Sequence, residues 1–192
     1  MARRLLTVFA IVIVVAVLAY PQPNVQDTVE APFSSGGIVH LRLSYGDYTI
    51  KSGFADRIIV RWVDSHGADI RDKLNLDAAG DTANIRTDGP VKHGHFVVEL
   101  PSRSDIFLRL KAGDVKISGI EGNKDVHMTA GDLTIEADPT AYSSIRGSVT
   151  MGDLDAHSLH ISKGGIHRSF DWRGSGLYHL RASLVVGDLT IR

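Results

Sequence analysis

From Gly37 onward, apolar and polar residues alternate with period two, in short runs broken by Gly, Asp, Ser and Asn. That pattern predicts strands with one buried and one wet face, not amphipathic helices. "RIIVRW" (Arg57 to Trp62) and "HFVVEL" (His95 to Leu100) are two such runs. "DIRDKLNLDAAGD" (Asp69 to Asp81) is the one stretch with room for a helical turn, and it reads as a loop. Five runs share a punctuation mark. "YGDYTI" begins at Tyr45, "AGDVKI" at Ala112, "AGDLTI" at Ala130, "MGDLDA" at Met151 and "VGDLTI" at Val186.

Aligned on their glycines, the five copies show the same apolar columns. Ile106, Leu108, Leu110 and Ala112 precede Gly113, and Val115 and Ile117 follow it. Leu180, Ala182, Leu184 and Val186 precede Gly187, and Leu189 and Ile191 follow. The intervening positions ahead of the glycines hold only two apolar residues, Phe107 and Val185. The apolar positions change parity across each Gly-Asp, which in a straight strand would turn the second half outward. A corner or bulge restores the inward direction. Glycine reaches positive φ without steric cost, and Asp bonds nearby amides. Gly46-Asp47, Gly113-Asp114, Gly131-Asp132, Gly152-Asp153 and Gly187-Asp188 are therefore structural corners between strands that share a core.

Gly113 and Gly131 are 18 residues apart, Gly131 and Gly152 are 21, and Gly152 and Gly187 are 35. A decayed copy fits the last gap, with Leu159 and Ile161 ahead of Gly164-Gly165 and Ile166 after them. Strand-only repeats near this length cannot bury an apolar face alone and stack on one another. The expected fold is all-β: a right-handed β-solenoid-like stack of short strands, led by an antiparallel sheet-like part over residues 37 to about 100. The last copy, "SLVVGDLTIR", ends at Arg192 and needs a cover. An earlier segment such as Phe170 to Trp172 is the expected one, with a second copy of the chain as the alternative.

Arg3 and Arg4 precede an uncharged apolar run from Leu5 to Tyr20, which Pro21 and Pro23 stop. A basic start followed by such a run is an export signal. Its 16 residues fall short of the roughly 20 that a membrane span needs. Residues 1–20 are thus expected to be a hydrophobic helix serving as signal peptide or signal anchor. Residues 21–36, "PQPNVQDTVEAPFSSG", read as a linker, and residues 37–192 as the exported domain. The expected location is the periplasm or cell envelope. The chain has no cysteine, which leaves no lipid attachment, disulfide or thiolate site. With 21 basic and 22 acidic side chains it lacks the basic excess that nucleic acid requires.

The candidate chemistry is thin. Asp47, Asp114, Asp132, Asp153 and Asp188 would align along one edge, either as turn carboxylates or as a calcium ladder. His93 and His95 are two apart, and His157, His160 and His167 cluster, but with no carboxylate or cysteine constellation beside them. They read as surface histidines. There is no Gly-x-Ser-x-Gly elbow. Phe170 and Trp172 share a face, as a sugar-stacking platform or, more simply, as packing on the core. No catalytic, metal or cofactor-binding residue is assigned, and no cofactor is expected.

"VELPSRSDIFLRLKAGDVKISGIEG" (Val98 to Gly122), "VHMTAGDLTI" and "RASLVVGDLTIR" together resemble the bacterial "putative adhesin" domains of unknown function. The resemblance covers about residues 37–192. It implies repeated Gly-Asp corners in a solenoid-like fold and carries no catalytic residues with it. The functional expectation is an exported, non-enzymatic structural or adhesive module of the envelope. Its partner would be an envelope or extracellular polymer, or another copy of itself. The alternatives are a carbohydrate-binding or carbohydrate-active module and the sensory domain of a membrane regulator.

Overall fold

The computed structural model describes residues 27–63, 73–89 and 94–192. The apolar run at 5–20, with its expected helix, and His93 lie outside the described residues. Fifteen strands follow in chain order. They are β1 (Asp27–Pro32), β2 (Ile38–Tyr45), β3 (Asp47–Ser52), β4 (Arg57–Val63) and β5 (Leu74–Ala79). Next come β6 (Thr82–Thr87), β7 (His95–Leu100), β8 (Asp105–Ala112), β9 (Val115–Ser118) and β10 (Lys124–Ala130). The last are β11 (Leu133–Ile135), β12 (Tyr142–Ala156), β13 (Ile161–Arg173), β14 (Tyr178–Val186) and β15 (Leu189–Ile191).

Two parallel ladders carry the molecule. The first runs β6–β2–β8–β10–β14–β12, and the second runs β7–β3–β9–β11–β15–β12. Each Gly-Asp joins a strand of the first ladder to one of the second; in β12 both arms belong to one strand of 15 residues. Inward side chains match across the rungs. One row reads Ile85, Leu41, Leu108, Val126, Ala182 and Gly147. Another, in the second ladder, reads Phe96, Tyr48, Val115, Leu133, Leu189 and Leu154. All but Gly147 are in the hydrophobic core. Full burial of such side chains contributes about 1.5–3 kcal/mol each, which drives the stacking.

The rungs do not follow chain order. β14 and β15, the last copy, lie between β10–β11 and the two arms of β12. Successive copies therefore do not make successive coils here. The decayed copy around Gly164-Gly165 is no coil either. It is β13, running antiparallel to β12 along its whole length. The expected cover of the last copy is thus supplied by β12, which β13 covers in turn. Opposite the core positions Val149 and Leu154, β13 places Arg168 and Lys163. Their side chains bond the Gly164 and Ser169 carbonyls. Exposed charge on a terminal strand guards its edge against further pairing.

The leading part is less separate than expected. β2 and β3 are full rungs of the parallel ladders, and only β1–β4–β7 and β5–β6 pair antiparallel. Inside the stretch read as a linker, β1 pairs with β4 and Phe33 is buried in the core. Within 69–81, read as loop, Leu74, Leu76 and Ala78 alternate against exposed Asn75, Asp77 and Ala79 to form β5. Polar composition hid both strands. The edge strands β1 and β5 approach each other, so the sheet nearly closes on itself. Among the described residues no helix is long and apolar enough to cross a membrane.

Candidate functional site

The ten corner residues come together in one column, in the order 46, 113, 131, 187 and 152. Every corner glycine has φ between 111° and 135°. A Cβ built on Gly131 would lie 2.1 Å from the Gly113 oxygen, on Gly187 2.1 Å from that of Gly131, and on Gly152 2.0 Å from that of Gly187. Each glycine's missing side chain is the space its neighbour's backbone fills. Their amides continue the ladder: Gly113 N–H donates to Ala130 O (3.1 Å) and Gly131 N–H to Val186 O (3.1 Å).

The carboxylates form a second chain alongside. Asp114 N–H donates to Asp47 Oδ1 (3.1 Å), Asp132 N–H to Asp114 Oδ1 (2.9 Å) and Asp188 N–H to Asp132 Oδ1 (3.0 Å). Asp153 N–H closes it on Asp188 Oδ1 (2.9 Å). Four of the five carboxylates thus satisfy the amide of the next rung, not their own turn, and Asp153 ends the chain. One oxygen of each of those four is committed to the fold, and no group of three His, Asp or Glu residues among the described residues is placed to hold a metal.

The residue just before each glycine departs from the sequence reading. Tyr45, Ala112, Ala130, Val186 and Met151 were aligned as core positions. In register they form a row along the outside of the corner. Tyr45 is 41% exposed, Val186 46% and Met151 54%. The chain needs several residues to turn, so the last inward position is Leu43, Leu110, Met128, Leu184 or Val149.

His157, His160 and His167 do not converge; His160 and His167 take left-handed backbone at φ 56° and 54°. His95 is exposed on β7. Phe170 is buried above Gly147, where a Cβ would meet its ring at 2.4 Å. Trp172 packs partly buried against the same core. Both pack on the core.

What sequence reasoning missed is polar. Lys124 takes a core position between Ile106 and Leu180 and is 2% exposed. Its Nζ donates to Ile120 O (2.7 Å), to Gly122 O (3.3 Å) and to the Tyr142 hydroxyl. Burial holds its pKa down at about 8, against the pull of Asp105 and Glu121. Burial likewise pushes Tyr142 and Tyr48 up to about 12. No periodicity flags an inward lysine.

The outer face of the first ladder gathers charge. Arg86, Arg42 and Arg109 occupy one rung row on neighbouring strands, and His127 and Ser183 continue it. With Lys111 they line an open groove of about 530 Å³. Arg109 reaches Asp125 at 3.4 Å, and His127 Nε2 reaches the same oxygen at 2.7 Å. Burial and then the Arg109 charge hold His127 below its ordinary pKa. No carboxylate among the described residues is within ion-pair distance of Arg42, Arg86 or Lys111.

These features define an all-β protein whose two parallel ladders share one core and are tied at a glycine–aspartate edge. The same fold is found in a "putative cell adhesion protein" from Clostridium sporogenes ATCC 15579, with a TM-score of 0.54 and 11% identity over 86% of this chain and 98% of that one. A "putative adhesin" from Parabacteroides merdae ATCC 43184 shares 13% identity over 87% of this chain and 96% of its own, at a TM-score of 0.29. Neither a protein-family model nor a curated protein sequence matches the chain. The resemblance carried by the Gly-Asp corners thus agrees with the comparisons at the level of fold.

Proposed function

We propose that this chain is an exported, non-enzymatic module of the cell envelope, in which a β-solenoid-like stack presents its wet outer faces for adhesion or structural support. The observation that carries this reading is the corner column. Every rung from β2–β3 to β12 is tied to the next by a glycine contact and an amide–carboxylate bond. Such a stack holds broad outer faces rigid without gathering acids and bases into a cleft. Rigid, preformed surfaces bind extended partners at low ordering cost. The shared fold with a protein described as a putative cell adhesion protein supports the same reading.

Cell fractionation tests it. The full chain should co-sediment with envelopes, and Val12→Asp with Val15→Asp should hold it inside, because charge opposes insertion of the apolar run. Export of the double variant would refute the targeting role of residues 5–20. Wild-type protein that neither leaves the cytoplasm nor binds isolated envelopes would refute the module itself.

A further inference from the structure

The two apolar residues that broke the outward pattern, Phe107 and Val185, are both on the outer face of the first ladder. Val185 lines the groove beside Lys111. Phe107 lies one rung row from Arg109 on β8, and His40 has the same relation to Arg42 on β2. The His40 and Phe107 rings are neighbours, with centroids 5.2 Å apart and planes 31° from parallel. Phe107 is only partly buried, and no inward packing accounts for it. The Arg86–Arg42–Arg109 row therefore runs beside the paired His40 and Phe107 rings, with Asp125 next along their own row.

The geometry points to a binding site for an acidic polysaccharide, laid across the strands along the Arg86–Arg42–Arg109 row. This rests on the reading of the chain as an envelope module and names the ligand class of one of its faces. Neighbouring strands are spaced by about 4.8 Å, so successive guanidiniums recur at that interval. A pyranose ring has nearly the same length along its chain. One acid group per sugar would then meet one guanidinium per strand, each able to hold a carboxylate or sulfate through two parallel N–H bonds. The apolar face of the sugar would rest on Phe107 and His40, and Lys111 would close the groove's far side. A ringless polyanion can use the cations but not the aromatic faces.

The test is a titration of the full-length protein with polygalacturonate oligomers, dextran sulfate oligomers, polyphosphate and single-stranded polynucleotide, at two salt concentrations. Either acidic sugar should bind, weakening as salt rises, and the two arms identify which acid group is preferred. Arg42→Glu should weaken sugar binding about tenfold or more, which is the loss of one charge-assisted contact. Phe107→Ser should weaken the sugars severalfold and leave polyphosphate unchanged. Lys116→Glu, on the outer face of the second ladder, should change nothing. Circular dichroism and an unchanged melting curve confirm that each variant is folded. Polyphosphate or polynucleotide binding as tight as the sugars, or sugar binding indifferent to Phe107→Ser, would overturn the assignment. If the sugars fail to bind while the protein still co-sediments with envelopes, this site falls and the envelope module stands.

Discussion

Replacing Gly131 by alanine adds one methyl group at the point where three rungs meet. The new Cβ would sit 2.1 Å from the Gly113 oxygen. Carbon–oxygen contacts settle at about 3.3 Å or more, so the two rungs must separate by about 1 Å. Three bonds lie across that gap: Gly113 N–H to Ala130 O, Val115 N–H to Asp132 O, and Asp132 N–H to Asp114 Oδ1. Stretching two or three of them loses about 1 kcal/mol each. A φ of +111° in a residue with a side chain adds about 1–3 kcal/mol of strain. The expected loss is about 3–6 kcal/mol, a large share of the 5–15 kcal/mol typical of a domain. Two controls separate the causes. Gly80 has φ +64° with nothing within 4 Å of a built Cβ, so Gly80→Ala should cost about 1 kcal/mol. Gly46 has φ +124° and a Cβ 3.0 Å from the Gly94 oxygen, so Gly46→Ala should fall between the two. Urea titrations with a common m-value measure all three. Equal losses at Gly131 and Gly80 would show that backbone conformation alone sets the cost and would refute the close-packed glycine column.

Asp114→Ala removes the acceptor for the Asp132 amide and should cost about 1–2 kcal/mol, whereas Asp153→Ala, at the end of the column with no amide among the described residues donating to it, should cost under about 0.5 kcal/mol in the same titrations. Lys124 is held near pKa 8, below its ordinary 10.5, so the folded protein carries fewer protons between those values and stability should rise with pH from 8 toward 10. The full window is worth roughly 3 kcal/mol, and above pH 10 Tyr48 and Tyr142, both pushed up to about 12, oppose it. Urea titrations at pH 8, 9 and 10 should show the slope in the wild type and its loss in Lys124→Met; a slope retained in that variant would acquit the lysine. Leu133→Ala should cost about 2–5 kcal/mol and Thr134→Ala, half-exposed on the opposite face, under about 0.5, by differential scanning calorimetry.

Strand alternation was readable because each rung buries one face and wets the other, so period two appears in every copy. The corners were readable because only glycine fits between two backbones. Rung order was not. "AGDLTI" and "VGDLTI" present the same inward Leu-x-Ile, so Leu133–Ile135 and Leu189–Ile191 could each pair with any neighbour at nearly equal energy. The choice is made by β13, whose pairing with β12 takes that rung out to the end of the stack. The corner's outer row was misread because apolar residues at Tyr45, Val186 and Met151 carry the parity of the core without facing it. The arginine row was invisible for a different reason. Arg42, Arg86 and Arg109 are spread over 68 residues of sequence and become neighbours only through parallel pairing.

The placement of β14–β15 governs the order in which the molecule can be finished. A chain emerging from its N-terminus delivers β10 and β11, then the β12–β13 hairpin, and only afterwards the strands that separate them. The hairpin therefore waits without its parallel partner until Ile191 has arrived. Docked early onto β10–β11, it would bury similar rows, since Ile145, Val149 and Leu154 offer what Leu180, Leu184 and Leu189 later provide. The last copy would then be shut out. Completion is an insertion between two waiting surfaces and not the addition of a final layer, so the newly made chain must keep that slot open until β15 has arrived.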